Sequence, residues 1–224
     1  MAGDNLMSAF YKKIIISIIE RSRIGIKYLN LYRFRNHLTE IGWFKSCEKG
    51  LPVDADGKPL PWYTYAAIKY LSMKVKSEMR IFEYGTGNST LWWSERVSFV
   101  TSIEHDLPWF ERMKGKVPAN VDYRYCELVY KGRYCKIILE YENHFDIIII
   151  DGRDRVNCLR NSLRALKTKG IIILDNSDRD EYRDGYQFLL ESGFKRLDFY
   201  GYGPMSLVGS CTSLFYRNEN CLGI

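Results

Sequence analysis

Five stretches of the chain place acids where acids can do chemistry: Glu83-Tyr84-Gly85-Thr86-Gly87, Glu104-His105-Asp106, Cys126-Glu127, Asp151-Gly152-Arg153-Asp154 and Asp175-Asn176-Ser177. Each follows an apolar run, so each falls at the carboxyl end of an expected strand, and in open parallel sheets ligands bind beyond those ends. The two glycines of the first stretch let backbone pass close to a ligand at a helix N-terminus. A nucleoside-triphosphate loop would need Gly-x4-Gly-Lys-Ser/Thr, and no such glycine and lysine follow Gly85. A dinucleotide loop would place a third glycine at position 90, where Thr90 stands instead, which weakens that reading. Glu83 beside the turn repels a pyrophosphate and favours a ligand with positive groups. Glu104 lies 21 residues after Glu83 and can accept both hydroxyls of a ribose. A solvated acid capping the helix that starts at Leu107 would occupy the same position.

The elements that must hold these acids alternate. Strands are expected at Arg80 to Tyr84, Phe99 to Glu104, Val121 to Cys126, Phe145 to Asp151, Gly170 to Asp175, Phe194 to Tyr200 and Thr212 to Arg217. Helices are expected at Ser89 to Arg96, Leu107 to Lys116, Val156 to Lys167 and Arg179 to Ser192. Strand and helix in alternation argue for an α/β fold with a mostly parallel sheet covered on both faces. The continuous runs Ile147 to Ile150 and Ile171 to Leu174 suit central strands buried on both sides. No helix separates the last two strands, so they can close one edge as an antiparallel pair.

Taken together, "FEYGTGNS", "SIEHD", "FDIIIIDGRDR" and "GIIILDNSD" resemble four ordered motifs of class I S-adenosylmethionine-dependent methyltransferases, over about residues 62 to 217. The resemblance implies a Rossmann-like seven-stranded sheet of order 3-2-1-4-5-7-6 with helices on both faces. It implies S-adenosylmethionine as cofactor, with Glu83, Gly85, Gly87 and Ser89 around the methionine part, Glu104 on the ribose and Glu127 near the adenine. The ammonium and sulfonium of that ligand suit Glu83. The acids at the fourth and fifth strand ends are also similar to those of metal-dependent O-methyltransferases of the catechol and caffeoyl-CoA type. That likeness implies Asp151, Asp175 and Asn176 as ligands of Mg2+, a hard ion that takes oxygen donors. The other reading has Asp151 orienting cofactor or substrate while Asp175 and Asn176 cap the next helix. Arg153 and Arg155 depart from the metal pattern and disfavour a dication unless they point to substrate, which opens the way to a substrate anion or a network of sugar hydroxyls. Asp151 or His105 is the expected general base for an oxygen acceptor. Trp62, Tyr63 and Tyr65 are either an aromatic lid over the cofactor or ordinary core.

Two parts are expected: an N-terminal helical extension with its linker, 1–61, and the cofactor-binding domain, 62–224. Helical spacing runs from Phe10 to Ile41 with a break at Gly25, and the Pro- and Gly-rich residues 50–61 read as the linker. Of the net charge of +6, residues 1–50 supply nine Lys or Arg against four acids. That excess is either a solvated helix face or a contact for anionic lipid or another acidic surface. Six cysteines without CxxC spacing suit free thiols in the cytoplasm. The expected activity is O-methylation of a small molecule or a sugar or glycan intermediate. A nucleic-acid methyltransferase or binding module is the first alternative, argued against by the absence of an N/D-P-P-Y/F motif. A membrane-surface scaffold that has kept the fold and an NAD-dependent oxidoreductase stand further off.

Overall fold

Apolar β-branched residues dominate the segments that become the centre of the sheet, and their side chains alternate between two buried faces. The computed structural model describes residues 36–224 and, ahead of them, Ser17. The expected break at Gly25 and most of the stretch from Phe10 to Ile41, with seven of its basic residues, lie outside the described residues. In chain order the elements are α1 (His37–Glu40), α2 (Trp43–Lys49), α3 (Tyr65–Lys74), β1 (Arg80–Tyr84), α4 (Asn88–Ser94), β2 (Phe99–Glu104), α5 (Leu107–Lys114) and β3 (Val121–Tyr125). They continue with α6 (Arg133–Lys136), β4 (Phe145–Ile150), α7 (Arg155–Ser162), β5 (Leu166–Asp175), α8 (Arg183–Glu191), β6 (Lys195–Gly201) and β7 (Ser210–Tyr216).

The seven strands form one sheet of order β3-β2-β1-β4-β5-β7-β6. Strands β3 to β5 pair in parallel, with Ile81 opposite Ile147 and Ile147 opposite Ile171 at the centre. Strand β7 runs antiparallel to both β5 and β6 and closes the edge as expected. Ile148, Ile150, Ile172 and Leu174 face one core with Phe82, Tyr84 and Tyr134. Ile147, Ile149, Ile171 and Ile173 face the other, with Trp92, Trp93, Leu71 and Tyr63. The strand order reverses between β1 and β4, so their carboxyl ends diverge into a crevice there.

Three local differences from expectation have physical causes. Strand β5 begins at Leu166, inside the stretch expected to be helical, because Leu166 pairs with Phe145 and the Lys167 ammonium meets Asp146 at 2.8 Å. Helix α6 and the 3-10 turn Ile137–Glu140 fill the connection from β3 to β4. Each is about one turn long, too short to print a helical period. Residues 50–61 are a packed turn: Asp54 Oδ1 accepts from the N–H groups of Asp56 and Lys58, Val53 bridges Pro59, and Val53 and Leu60 are buried. The Asn88 amide donates to Pro52 O at 2.6 Å, which fixes this turn over the start of α4.

The crevice is narrowest where Gly85 meets Gly152. Gly85 has φ +92°, and a Cβ on it would stand 3.1 Å from Gly152 backbone atoms. A Cβ on Gly152 would stand 2.1 Å from the Tyr134 hydroxyl and 3.0 Å from Gly85 N. Gly152→Ala is therefore expected to lower stability by about 1–3 kcal/mol, the usual cost of overpacking. Tyr134→Phe in the same chain should restore part of that loss, read as the urea midpoint of each variant.

Candidate active site

Two adjoining cavities open over the carboxyl ends of the strands. The larger, about 540 Å3, lies between the Gly85-Thr86 loop, Glu104-His105-Asp106, Asp151-Gly152 and Asn176. The smaller, about 380 Å3, is roofed by Gly50-Leu51-Pro52, Leu60 and Trp62. Thr86, Ser89, Trp109, Arg112 and Asp151 line both. Together they have the size of a site for a nucleoside-sized ligand and a second small molecule.

Helix α5 sets one wall. Asp106 caps it, its Oδ1 accepting from Trp109 N at 2.8 Å, and the Trp109 indole in turn donates to Thr86 O at 2.8 Å. Trp109 thus fastens the glycine loop from the cavity side. Glu104 ends β2 with 3% of its surface exposed. Its Oε1 accepts from the N–H groups of His105 (2.7 Å) and Asp106 (2.8 Å), while Oε2 takes no hydrogen bond among the described residues. A fixed carboxylate with one free oxygen at the cavity wall is a hydroxyl acceptor. His105 Nδ1 lies 3.1 Å from Glu104 Oε1 without the alignment of a hydrogen bond, and the ring packs edge-on against Tyr134.

Glu83 behaves differently. It is fully buried behind the glycine loop and lines neither cavity. Its Oε2 accepts from the hydroxyls of Thr90 (2.5 Å) and Ser102 (3.2 Å), and Oε1 has no partner. The contacts the structure shows for Glu83 are internal: its carboxyl group gathers the Thr90 and Ser102 hydroxyls behind the loop. Thr90, which stands where a dinucleotide loop has glycine, supplies one of them and also accepts from Gly87 N.

At the end of β4, Asp151 is half-buried and lines both cavities. The Arg155 side chain, 7% exposed, spreads beneath it. Arg155 Nε donates to Gly152 O, one terminal nitrogen to Asp151 O (2.9 Å) and Asp151 Oδ1 (3.0 Å), and the other to Asp175 O and Asn176 Oδ1 (3.3 Å). Asp175 turns away from this cluster and accepts from the Thr212 hydroxyl at 2.6 Å, which itself accepts from Thr64 N. Burial raises the pKa of both Asp151 and Asp175; at Asp151 the guanidinium of Arg155 works against that, and at Asp175 the Asp151 charge adds to it.

The cavities therefore bring together Gly85, Gly87, Ser89, Glu104, His105, Asp151 and Asn176. Asp175 and Glu83 lie beneath the floor, and Glu127 is exposed outside both cavities. Of the three aromatic residues after the turn only Trp62 reaches a cavity; Tyr63 is core. Trp109, Arg112, Arg179 and the Leu51-Pro52 wall are additions that sequence reasoning did not make. Asp106, a capping residue directly before Leu107-Pro108-Trp109, was the available signal for Trp109.

No protein-family model matches the chain, and no curated protein matches it. Solved structures do match. The O-methyltransferase from Bacillus cereus in complex with SAH superposes with a TM-score of 0.57 at 17% identity, over 89% of this chain and 100% of that one. A methyltransferase from Geobacter sulfurreducens gives 0.53 at 19% identity, over 87% and 96% of the two chains. Precorrin-6y C5,15-methyltransferase from Geobacter metallireducens GS-15 gives 0.52 at 15% identity, over 67% and 86%. This chain has the class I S-adenosylmethionine-dependent methyltransferase fold. At such identities the likeness is one of fold, and the chemistry of a class I site has to be argued from its side chains.

One such argument concerns the divalent ion. Of its three expected ligands, Asp175 is engaged with Thr212, and the Arg155 guanidinium stands among Asp151, Asn176 Oδ1 and the Asp175 carbonyl. A dication placed there meets a fixed positive charge and one remaining carboxylate. Among the described residues no three His, Cys, Asp or Glu side chains are grouped to hold a metal. The donor set does not fit Mg2+, and the correction to the expected ligand set follows from the inward turn of Arg155.

Two measurements test these assignments. Magnesium at millimolar concentration should leave the thermal midpoint of the protein unchanged, and a rise abolished by Asp151→Asn would overturn the misfit. Burial raises the pKa of Glu83 from about 4.5 to about 7, with the Thr90, Ser89 and Ser102 hydroxyls opposing it. The folded state then keeps a proton between about pH 4.5 and 7 that the unfolded chain has lost, so this group removes stability as pH rises through that window. Glu83→Gln should flatten the decline by up to about 3 kcal/mol, measured as unfolding free energy at both ends of the window.

Proposed function

We propose that the chain is an S-adenosylmethionine-dependent methyltransferase that acts on an oxygen of a small molecule or of a sugar or glycan intermediate. The observation that carries the cofactor assignment is Glu104: two backbone N–H groups hold one carboxylate oxygen and leave the other free at the cavity wall. That is the arrangement a ribose needs. The Gly85-Thr86 backbone, Ser89 and Trp109 line the space beside it, where a ligand can come close to the loop. When bound, the cofactor supplies a methyl group on a positively charged sulfur, already primed for displacement.

The oxygen acceptor is inferred from Asp151. This residue borders both chambers, so an acceptor that spans the chamber under Trp62 and Pro52 and the Asp151-Asn176 end of the larger one can reach it while the glycine-loop and Glu104 end is filled. Arg155 holds Asp151 Oδ1 and leaves Oδ2 without a protein partner among the described residues. Burial raises the basicity of the carboxylate. An acceptor hydroxyl seated beside it would give its proton to Asp151 Oδ2 as it took up the methyl group. His105 borders only the larger chamber, beside Glu104, which favours Asp151 as base. The remaining task of the chain is alignment and exclusion of water, which Trp62, Trp109 and the 50–61 turn perform from three sides.

Calorimetric titration with S-adenosylhomocysteine and with NAD tests the cofactor assignment. Saturable binding of the first and none of the second is expected, and Glu104→Gln should weaken it about 10- to 100-fold, the worth of a charged hydrogen bond. NAD binding without S-adenosylhomocysteine binding would sink the proposal. With an acceptor found by mass detection of a methyl gain, Asp151→Asn should lower kcat about 10²- to 10⁴-fold and leave S-adenosylhomocysteine affinity in place.

A further inference from the structure

The wall of the larger cavity carries four guanidinium groups, from Arg112, Arg153, Arg155 and Arg179, against three carboxylates, from Glu104, Asp106 and Asp151. Each carboxylate is engaged through one oxygen: Glu104 with two backbone N–H groups, Asp106 as the cap of α5, and Asp151 with Arg155. Arg155 is saturated. The other three guanidiniums are exposed and have little to hold them. Arg153 makes no side-chain hydrogen bond or ion pair among the described residues, and Arg112 only overlies the Trp109 ring, 5.4 Å from its centroid. Arg179 approaches the exposed Glu181 at 3.9 Å, the weakest kind of surface pair.

Position separates the three. Arg112 stands with Trp109 on the glycine-loop side, where it can meet the single carboxylate of the methyl donor. Arg153 and Arg179 follow the ends of β4 and β5 and line the larger chamber with Asp151 and Asn176, where the charge of Arg179 acts on Asp151. A concave wall focuses such charges on whatever enters it. Guanidinium forks match the paired oxygens of phosphate and carboxylate groups. A neutral phenol or sugar would leave both arginines without a purpose beside the base.

Resting on the methyltransferase reading above, we infer that the methyl acceptor is an anion, bearing a phosphate or carboxylate group that Arg153 and Arg179 hold while Asp151 faces its hydroxyl. The two guanidiniums also explain how the site can dispense with a dication: positive charge for the acceptor comes from the chain.

The test is a pair of titrations. S-adenosylhomocysteine is titrated first into free protein, and pyrophosphate or succinate is then titrated into the loaded protein, with chloride at matched ionic strength as control. Pyrophosphate or succinate should bind the loaded protein, and the Arg153→Ala/Arg179→Ala double variant, saturated with S-adenosylhomocysteine, should bind it at least about tenfold more weakly. Tighter binding of pyrophosphate assigns a phosphorylated acceptor, and tighter binding of succinate a carboxylated one. Absence of S-adenosylhomocysteine binding in the first titration would overturn the proposed function itself. With that titration normal, an anion that fails to bind, that displaces S-adenosylhomocysteine, or that binds the double variant as well as the native chain would overturn this inference alone.

Discussion

The site depends on one buried cation. Arg155 directs every edge of its guanidinium at oxygens of residues 151, 152, 175 and 176, so the ends of β4 and β5 are held together by a single side chain. Main-chain carbonyls at strand ends have no ladder partner and are costly to bury alone. Arg155 satisfies three of them while compensating the charge of Asp151. Asn176 sits at φ +50°, and its Oδ1 accepts from the Arg155 guanidinium. The space between the ends of β4 and β5 is thus occupied by a covalently attached positive charge. The consequence reaches the cavity floor: Asp151 is fixed through one oxygen and presents the other.

A second constraint is the close passage of Gly85 over Gly152, which lets β1 and β4 end almost in contact before they part around the crevice. Trp109 fastens the same loop from above and Glu83 from below. Two glutamates at neighbouring strand ends have thus been put to opposite uses. Glu104 accepts from two backbone N–H groups and faces the cavity, while Glu83 has only hydroxyl donors, an unpartnered oxygen and full burial. Burial wins at Glu83 and raises its pKa, whereas Glu104 keeps one oxygen open to the cavity.

Much of this was legible in the sequence because it rests on periodicity. The continuous isoleucine runs located β4 and β5, the lack of a helix before residue 210 announced the antiparallel edge, and strand ends collected the acids. What could not be read was the direction in which side chains point. Glu83 and Glu104 look alike in a string of letters, and so do Arg153 and Arg155, yet Glu83 is sealed behind the loop while Glu104 lines the cavity, and Arg155 is buried while Arg153 is exposed. Glu127 is exposed and lines neither cavity, in the connection that leads from β3 to α6. The Pro- and Gly-rich residues 50–61 looked like a linker since their composition is that of turns, but composition does not reveal that Asp54 closes the turn on itself or that Val53 and Leu60 are buried.

That turn bears on how the fold acquires specificity. The strand ends supply the larger chamber, which the class I architecture shares widely, whereas the smaller chamber exists only because Leu51, Pro52, Leu60 and Trp62 are laid over α4 and tied there through Asn88. Residues ahead of the sheet therefore shape the smaller chamber, while the loops after β4 and β5 place Arg153 and Arg179 on the larger. Trp43 extends the same link to the far edge, its indole donating to Ser206 O in the β6–β7 connection. The joined chambers thus draw on segments more than a hundred residues apart in sequence. Their shape is a property of how the 50–61 turn docks on the sheet as much as of the strand-end acids, because moving that turn would open the chamber beside Asp151 to water and leave its free oxygen solvated.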